Sequence, residues 1–299
     1  MPTVIHHKAA LDGSPLPPNS LAAIEACLDA HAAWIEIDVL ALASDDYLLA
    51  HDADLSHETS GSGPVASCSA AAARKLRIKG TPHRVPLLSD VVALFLQHAL
   101  QHALQHPLQH PPPSRLQIDF KNITPFPDDE PLLRLRRIID PIAERVVVSS
   151  VADWQLRRLR RLAPTLPLGL DIQAHLDLGM PEPARFPVRL GAYGYLDDHP
   201  LAHQRIWSAA QYLEDRLQSL VNLVPRVAAF YVRHTLLKHA LDDGFDAAAF
   251  LHEHGMQLAA WTLDADNVEA EHSLPALVAA GVDLFTSNTP RALARKISC

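Results

Sequence analysis

Two acidic residues on one predicted strand are the residues of this chain whose type and spacing point most directly to chemistry. Glu36 and Asp38 lie in the segment 34–40, where they alternate with isoleucine and valine. Side chains alternate along a strand, so the two carboxylates face the same side, about 7 Å apart. Carboxylates this close repel each other unless a cation or a proton lies between them. The pattern therefore predicts a site for a hard metal ion.

A second strand with alternating polar residues helps to decide between a metal site and an ordinary half-exposed strand. Acids that alternate with apolar residues also fit a half-exposed antiparallel strand with its polar face in water. The segment 116–121 repeats the alternation, with Asp119 and Lys121 on one face together with Gln117. Strands of a closed barrel have no wet face except at the mouth, so the recurrence favours a functional site over solvated edges.

The elements that must position these residues alternate between strand and helix from end to end. Such alternation favours a parallel sheet, and eight strand candidates favour a (β/α)₈ TIM barrel. An open doubly wound sheet is the rival, but no Gly-rich fingerprint follows the first strand. In a barrel the polar residues would meet at the C-terminal ends of the strands. The predicted strands are 3–7, 34–40, 116–121, 145–150, 166–172, 227–232, 257–263 and 282–286.

Bulk composition limits the partners and the compartment. The chain has 299 residues, 48% of them hydrophobic, and a net charge of −8, so we expect one barrel domain over 1–299 and no nucleic-acid partner. No apolar run has the length of a membrane span, and no signal peptide is visible, so we expect a cytoplasmic protein. Three scattered cysteines form neither a disulfide framework nor a zinc pattern, and the oligomeric state stays open.

Two segments depart from the alternation. Residues 52–87 are rich in Ser, Gly, His and Pro and predict a small loop insertion at the C-terminal mouth of the barrel. Residues 96–111 repeat Leu-Gln-His-Ala/Pro four times and place histidines at a spacing of four. Pro107 and Pro111 should end any helix near residue 105, which leaves at most one helical i, i+4 histidine pair. We interpret the repeat as an extension of a surface helix.

Motifs spread over most of the chain resemble those of the glycerophosphodiester phosphodiesterase family. The family's strand Ile-Glu-x-Asp-Val followed by His-Asp is the most specific of them, and its other motifs gain weight from their order. In this chain they read as His7-Lys8-Ala9, Pro17-Pro18-Asn19-Ser20, Ile35-Glu36-Ile37-Asp38-Val39, His51-Asp52, Thr59-Ser60-Gly61-Ser62-Gly63, Asp119-Phe120-Lys121, Trp261-Thr262, Gly281-Val282-Asp283 and Ser287-Asn288-Thr289-Pro290.

The resemblance implies a role for each matched residue. It implies one divalent metal, Mg²⁺ or Ca²⁺, and all-oxygen ligation suits these hard cations. It implies two histidines as acid and base, and a cyclic phosphate formed by the glycerol 2-hydroxyl and then opened by water. Only one of the neighbours His6 and His7 can face the barrel axis, and the register with the family's first motif implies that it is His7. The expected site is His7 and His51 for catalysis, Glu36, Asp38 and Asp119 for the metal, and Lys8, Lys121 and Trp261 for the substrate.

Four positions depart from the family pattern. Lys8 replaces an arginine and loses the bidentate fork for phosphate. Asp119 is one methylene shorter than the family's glutamate, while Pro18 and Ala9 replace a glutamate and a glycine. None of the four removes the His-Glu-Asp-His core. The four departures indicate that the substrate could differ from that of typical family members, or that the activity could be weak.

Several functions follow from these residues. The first is metal-dependent hydrolysis of a small-molecule glycerophosphodiester to glycerol 3-phosphate and an alcohol. A lyase-type phosphodiesterase that stops at the cyclic phosphate is an alternative. A phosphodiester- or metal-binding homologue without turnover is another, motivated by Lys8, Pro18 and Asp119. A glycosidase fits less well, because its two acids should lie across a sugar on different strands.

Overall fold

Eight parallel strands close into a barrel in the computed structural model, which describes residues 2–105, 113–176 and 208–298. The strand order is β1-β9-β8-β7-β6-β5-β4-β2, and β1 pairs with β2 to close the ring. The predicted (β/α)₈ TIM barrel is therefore confirmed. Its strands are β1 (Thr3–His6), β2 (Trp34–Ala41), β4 (Arg115–Phe120), β5 (Val146–Ser150), β6 (Leu168–Asp171), β7 (Ala229–Arg233), β8 (Gln257–Trp261) and β9 (Leu284–Ser287).

A ninth strand, which the sequence did not predict, adds to the barrel from outside. This strand, β3 (Tyr47–Leu48), pairs antiparallel with the end of β2. With only two residues it shows no alternation that a sequence pattern could reveal. It turns the chain back over the C-terminal end of β2 and so starts the segment that carries His51.

Helices cover the outside of the barrel. The long ones are α1 (Leu21–Asp29), α4 (Leu88–Gln105), α5 (Glu130–Ile139), α6 (Asp153–Leu162), α8 (Ala209–Val221), α9 (His234–Asp242), α10 (Ala247–Glu253), α11 (Val268–Ala279) and α12 (Pro290–Ser298). Single turns of α-helix are α2 (Leu55–Glu58), α3 (Ala70–Ala73) and α7 (Gln173–Leu176). Short 3₁₀ segments lie at His7–Ala9, Val65–Ser67 and Asp140–Arg145.

The alternation of side chains along β2 places its acidic residues inside the barrel. Ile35, Ile37 and Val39 face outward and belong to the apolar layer between strands and helices. Trp34 faces inward and belongs to a smaller core inside the barrel, so Glu36 and Asp38 also point to the axis. All eight residues of β2 are buried, so its acidic face is not in water and the half-exposed strand interpretation is wrong.

Strand register brings the third acid to the first two. In the β2–β4 pair, Glu36 lies opposite Gln117 and Asp38 lies opposite Asp119. Neighbouring strands are about 4.8 Å apart, so Asp38 and Asp119 are side by side at the same height in the barrel. The sequence predicted both strands but not this register.

The segment 52–87 and the histidine repeat 96–111, which both depart from the strand–helix alternation, are built differently: the first has its own apolar cluster and the second extends a helix. Residues 52–87 contain three helical turns and pack on a separate apolar cluster that includes Leu48, Leu55, Val65 and Leu87. The repeat begins within α4, which is described as far as Gln105, and the expectation that Pro107 and Pro111 end this helix falls on residues 106–112, outside the described part. Among the described residues, none of the helices combines the length and the apolar character needed to cross a bilayer.

Candidate active site

A cavity of about 400 Å³ opens at the C-terminal ends of the strands. Seven of the eight residues that the resemblance implies line it, and the eighth, Asp38, is fully buried beneath it. His6 turns away and bonds the carbonyl of Ala10 through Nδ1, so His7 is the histidine that reaches the cavity. The lining residues that carry the argument below are His7, Lys8, Glu36, His51, Gln117, Asp119, Lys121, Ser149, Tyr231 and Trp261.

Three carboxylates converge at one edge of this cavity. One oxygen from each of Glu36, Asp38 and Asp119 can be chosen so that all lie within 4.8 Å of one another. Two lysines contact the same group. Lys121 Nζ lies 2.5 Å from Asp119 Oδ2 and 3.1 Å from Asp38 Oδ1, and Lys8 Nζ lies 3.0 Å from Asp38 Oδ2. Three acids and two ammonium groups leave one net negative charge when all are ionised.

The pKa values of the acids in this cluster are shifted in different directions by their surroundings. Burial, reinforced by the carboxylates of Asp38 and Asp119, raises the pKa of Glu36 well above its ordinary value. Burial also opposes ionisation of Asp38, but Lys121 and Lys8 outweigh it and hold the Asp38 pKa at about 2. The pKa of Lys121 is raised, because the carboxylates of Asp119, Asp38 and Glu36 outweigh its desolvation. Glu36 is thus the acid whose charge the protein neutralises least.

Further hydrogen bonds fix the carboxylates. The backbone N–H of Lys8, in the turn after β1, donates to Glu36 Oε2 at 2.6 Å. Asn19 precedes the helix cap Ser20 and donates its Nδ2 to Asp38 Oδ2 at 3.1 Å. Ser149 on β5 donates to Asp119 Oδ1 at 3.4 Å. Each acid is therefore held by a different strand or loop.

An amide orients His7. His7 Nδ1 lies 2.8 Å from Asn288 Oδ1, and Asn288 Nδ2 donates to Asp264 Oδ2 at 2.9 Å. Because Asp264 accepts from the amide nitrogen, the amide oxygen must face the imidazole, so His7 carries its proton on Nδ1. His7 Nε2 is then an acceptor, 4.0 Å from Glu36 Oε2. Burial lowers the pKa of His7 and favours this neutral form.

A carboxylate orients His51. His51 Nδ1 lies 3.0 Å from Asp52 Oδ1, and His57 Nδ1 lies 3.3 Å from Asp52 Oδ2. The hydrogen bond from His51 lowers the pKa of Asp52. Glu58 on α2 accepts the backbone N–H groups of His51 and Asp52 at 2.6 Å and 3.2 Å. The loop conformation is therefore set by a residue seven positions further along the chain.

The opposite wall of the cavity is aromatic and has unpaired polar atoms. Tyr231 on β7 is buried, and its hydroxyl has no hydrogen-bond partner among the described residues. Its ring crosses Gly169 so closely that a Cβ there would lie 2.3 Å from Tyr231 Cε2. Trp261 Nε1 and Gln117 Oε1 are likewise unpaired within the described ranges. Buried polar groups without partners are costly, and here they surround a cavity that a ligand can fill.

Sequence reasoning missed the supporting residues. Asn288 stands directly after the last strand, where a barrel places functional groups, so its position was a usable signal. Asp264 and Ser149 also lie at the C-terminal ends of predicted strands and gave the same signal, whereas Glu58 gave none, because it acts through a contact that only the folded chain creates.

Comparison with known proteins shows the family of this chain. The model of the glycerophosphoryl diester phosphodiesterase family matches residues 11–292. A glycerophosphodiester phosphodiesterase of Caldanaerobacter subterraneus subsp. tengcongensis is 26% identical over 198 residues, which is 64% of this chain and 73% of that protein.

Solved structures share the fold. A glycerophosphodiester phosphodiesterase from Parabacteroides distasonis superposes with a TM-score of 0.67 and 15% identity over 99% of this chain and 96% of that one. A phosphodiesterase from Oleispira antarctica, solved in complex with its product sn-glycerol-3-phosphate, superposes with a TM-score of 0.61 and 17% identity over 100% and 98% of the two chains. With a family match over nearly its whole length, the chain belongs to the glycerophosphoryl diester phosphodiesterase family and is a phosphodiesterase.

Proposed function

We propose that this phosphodiesterase is metal-dependent and hydrolyses glycerophosphodiesters to glycerol 3-phosphate and an alcohol. The observation that carries the proposal is the convergence of Glu36, Asp38 and Asp119 beside two differently oriented histidines in one cavity. The Oleispira antarctica phosphodiesterase, which has the same fold, binds sn-glycerol-3-phosphate as its product. That complex supports a glycerophosphate as the common half of the substrates.

The acidic cluster fits one hard divalent cation. Its donors are all carboxylate oxygens, which Mg²⁺ and Ca²⁺ prefer. Asp38 Oδ1 is buried and, among the described residues, receives no hydrogen bond of good geometry. A divalent cation would turn the net charge of the five-residue cluster from minus one to plus one, which complements the single negative charge of a phosphodiester. When bound, the cation supplies Lewis-acid polarisation of a non-bridging phosphate oxygen.

His7 is proposed as the general base. Its Nδ1 is occupied by Asn288, so Nε2 faces the cavity as a free acceptor within the described site. A neutral imidazole of this orientation can take the proton of the attacking hydroxyl, either the glycerol 2-hydroxyl or water. Burial keeps the ring neutral before reaction, as its lowered pKa indicates.

His51 is proposed as the general acid. Asp52 accepts from Nδ1, which leaves Nε2 to carry a proton toward the cavity. A proton carried on Nε2 points into the cavity, where it can be handed to the leaving alkoxide. Lys121 and Lys8 are proposed to hold the phosphate, since both ammonium groups line the cavity. Trp261 is proposed as a wall for the glycerol or the alcohol half.

The test is the release of glycerol 3-phosphate from glycerophosphocholine and glycerophosphoethanolamine, measured in EDTA, in Mg²⁺ and in Ca²⁺. We expect turnover with at least one of the metals and none in EDTA. Phosphorus NMR of the same mixture reads the product directly. Accumulation of a cyclic phosphate would replace the hydrolase by a lyase, and metal binding without turnover of any diester would favour a non-catalytic homologue.

A further inference from the structure

The histidine repeat brings metal-ligand types together away from the cavity. His98 and His102 are four residues apart on α4 and so share one helix face, which packs against α1. His98 Nε2 lies 3.5 Å from Asp29 Oδ1, at the last residue of α1. The ring of His102 lies 6.0 Å from the ring of His31, edge to face. The repeat histidines thus meet two ligands from outside the repeat, one carboxylate and one imidazole.

The backbone at His31 is unusual for the residue it carries. Helix α1 ends in a Schellman motif, with His31 N–H bonded to the Leu28 carbonyl and Ala32 N–H bonded to the Cys27 carbonyl. His31 has φ 54° in this motif, at the position where glycine is the default. The chain therefore keeps an imidazole where glycine would be less strained, and that imidazole faces α4.

The spacing and the ligand types select the kind of ion. Two ligand atoms on a tetrahedral zinc ion lie about 3.4 Å apart, given bond lengths of about 2.1 Å. The His98–Asp29 separation of 3.5 Å matches this value. The His31 and His102 rings form a second pair, with 6.0 Å between their centroids, and the spacing of four between His98 and His102 places this pair about one helical turn from the first. Three imidazoles with one carboxylate suit zinc and similar first-row ions, unlike the all-oxygen cluster in the barrel.

We propose that Asp29, His31, His98 and His102 form a second metal site, for zinc or a similar transition-metal ion, on the outside of the barrel. The ion ties the second half of α4 to the end of α1. Its ligands are reachable from solvent, since Asp29 and His31 are exposed. Because the folded helices bring together four ligands that are separated in the unfolded chain, binding should favour the folded state by mass action, reduced by the affinity of the unfolded histidines for the ion.

The experiment is a calorimetric zinc titration in excess Mg²⁺, which under the proposed function fills the carboxylate cluster of Glu36, Asp38 and Asp119. The key variant is His31→Gly, because glycine suits the left-handed backbone and removes only the ligand. We expect its zinc affinity to fall by about 10-fold or more, while its metal-free melting temperature equals or exceeds that of the wild type. His102→Ala should lose affinity to a similar extent, and the zinc-induced rise in melting temperature should disappear in both.

Two control variants separate this site from adventitious binding. His272→Ala removes an exposed histidine whose Nδ1 bonds the Val268 carbonyl of its own helix, and it should bind zinc as the wild type does. His106→Ala with His110→Ala removes the repeat histidines outside the described residues, and it should also leave the affinity unchanged. Wild-type affinity in His31→Gly, or loss of binding in the His106/His110 variant, would overturn the proposal.

Discussion

The two histidines at the cavity lie in regions built in different ways. His7 follows a barrel strand, is largely buried, and bonds an amide that is itself held by Asp264. His51 lies in a loop supported by α2, its side chain is 46% exposed, and it bonds a carboxylate. The same residue type is therefore kept neutral on the barrel side and next to a negative charge on the loop side.

This difference shows how one cavity can hold a base and an acid of the same chemical type. Burial lowers the pKa of His7 and so disfavours its protonated form, whereas the ring of His51 is exposed and bonds the carboxylate of Asp52. The acid and base roles proposed here follow from the surroundings of the rings and not from their sequence motifs. Changes to each region should therefore have different consequences.

The largest effect should come from Glu36→Gln on the barrel side. Removal of this charge weakens the proposed metal site, and we expect kcat/KM to fall about 1,000-fold, since several kcal/mol of transition-state stabilisation is lost. Glu58→Gln is the matched control on the loop side, because the amide oxygen can still accept the N–H groups of His51 and Asp52. Steady-state kinetics over a range of divalent-metal concentrations measure kcat/KM for both variants. An equal loss of kcat/KM in Glu36→Gln and Glu58→Gln would contradict the distinction between the barrel side and the loop side.

The next effect should come from the amide that orients His7. Asn288→Leu leaves Nδ1 without its acceptor, and we expect kcat to fall about 100-fold with little change in KM, because a wrong tautomer impairs the chemical step. The exchange Asp264→Asn with Asn288→Asp reverses the order of the pair and restores an acceptor for His7. It should recover part of the lost kcat, with the acid limb of the pH–rate profile moved to higher pH, because a carboxylate beside His7 favours its protonated form. If the folded double variant recovers none of the lost kcat, Asn288 does not act by orienting the ring of His7.

A smaller effect should distinguish two buried tyrosines. Tyr231→Phe removes an unpaired hydroxyl at the cavity, so kcat/KM should fall about 10-fold while stability is unchanged or higher. Tyr47→Phe removes a hydroxyl that donates to the Pro131 carbonyl at 2.5 Å, so the melting temperature should fall roughly 2–4 °C with activity retained. Thermal melts and kinetics on both variants give the comparison, and a stability loss in Tyr231→Phe would argue against a substrate contact.

The smallest effect concerns a buried histidine remote from the reaction. His234 resembles His7 in having an uncharged partner, Ser273, and burial lowers its pKa below 6.5. The unfolded chain then takes up the proton first, so this contribution to stability is present above pH 6.5 and is lost as the pH falls through that value. His234→Gln should flatten the decline of the urea midpoint between pH 7 and pH 5. An unchanged decline would mean that His234 is not buried neutral.

The barrel was predictable because its strands are long apolar or alternating runs, as in β2 and β5. The acids were predictable because alternation alone places Glu36 and Asp38 on one face. The lysine contacts of Asp38 were not, since they depend on strand register and on the turn after β1. The hydrogen bonds from Glu58 that support the loop could not be predicted either. The apolar residues of segment 52–87 are irregularly spaced, so no period indicated how this segment folds.

The most direct test of the division between the histidines compares two leaving groups. His51→Ala should lose about 1,000-fold in kcat on glycerophosphocholine, whose alkoxide needs a proton. On a glycerophospho-p-nitrophenyl diester, whose phenolate leaves without one, it should approach wild-type rates, while His7→Ala stays impaired on both substrates. Equal impairment of His51→Ala on the two substrates, or rescue of His7→Ala by the better leaving group, would contradict the account.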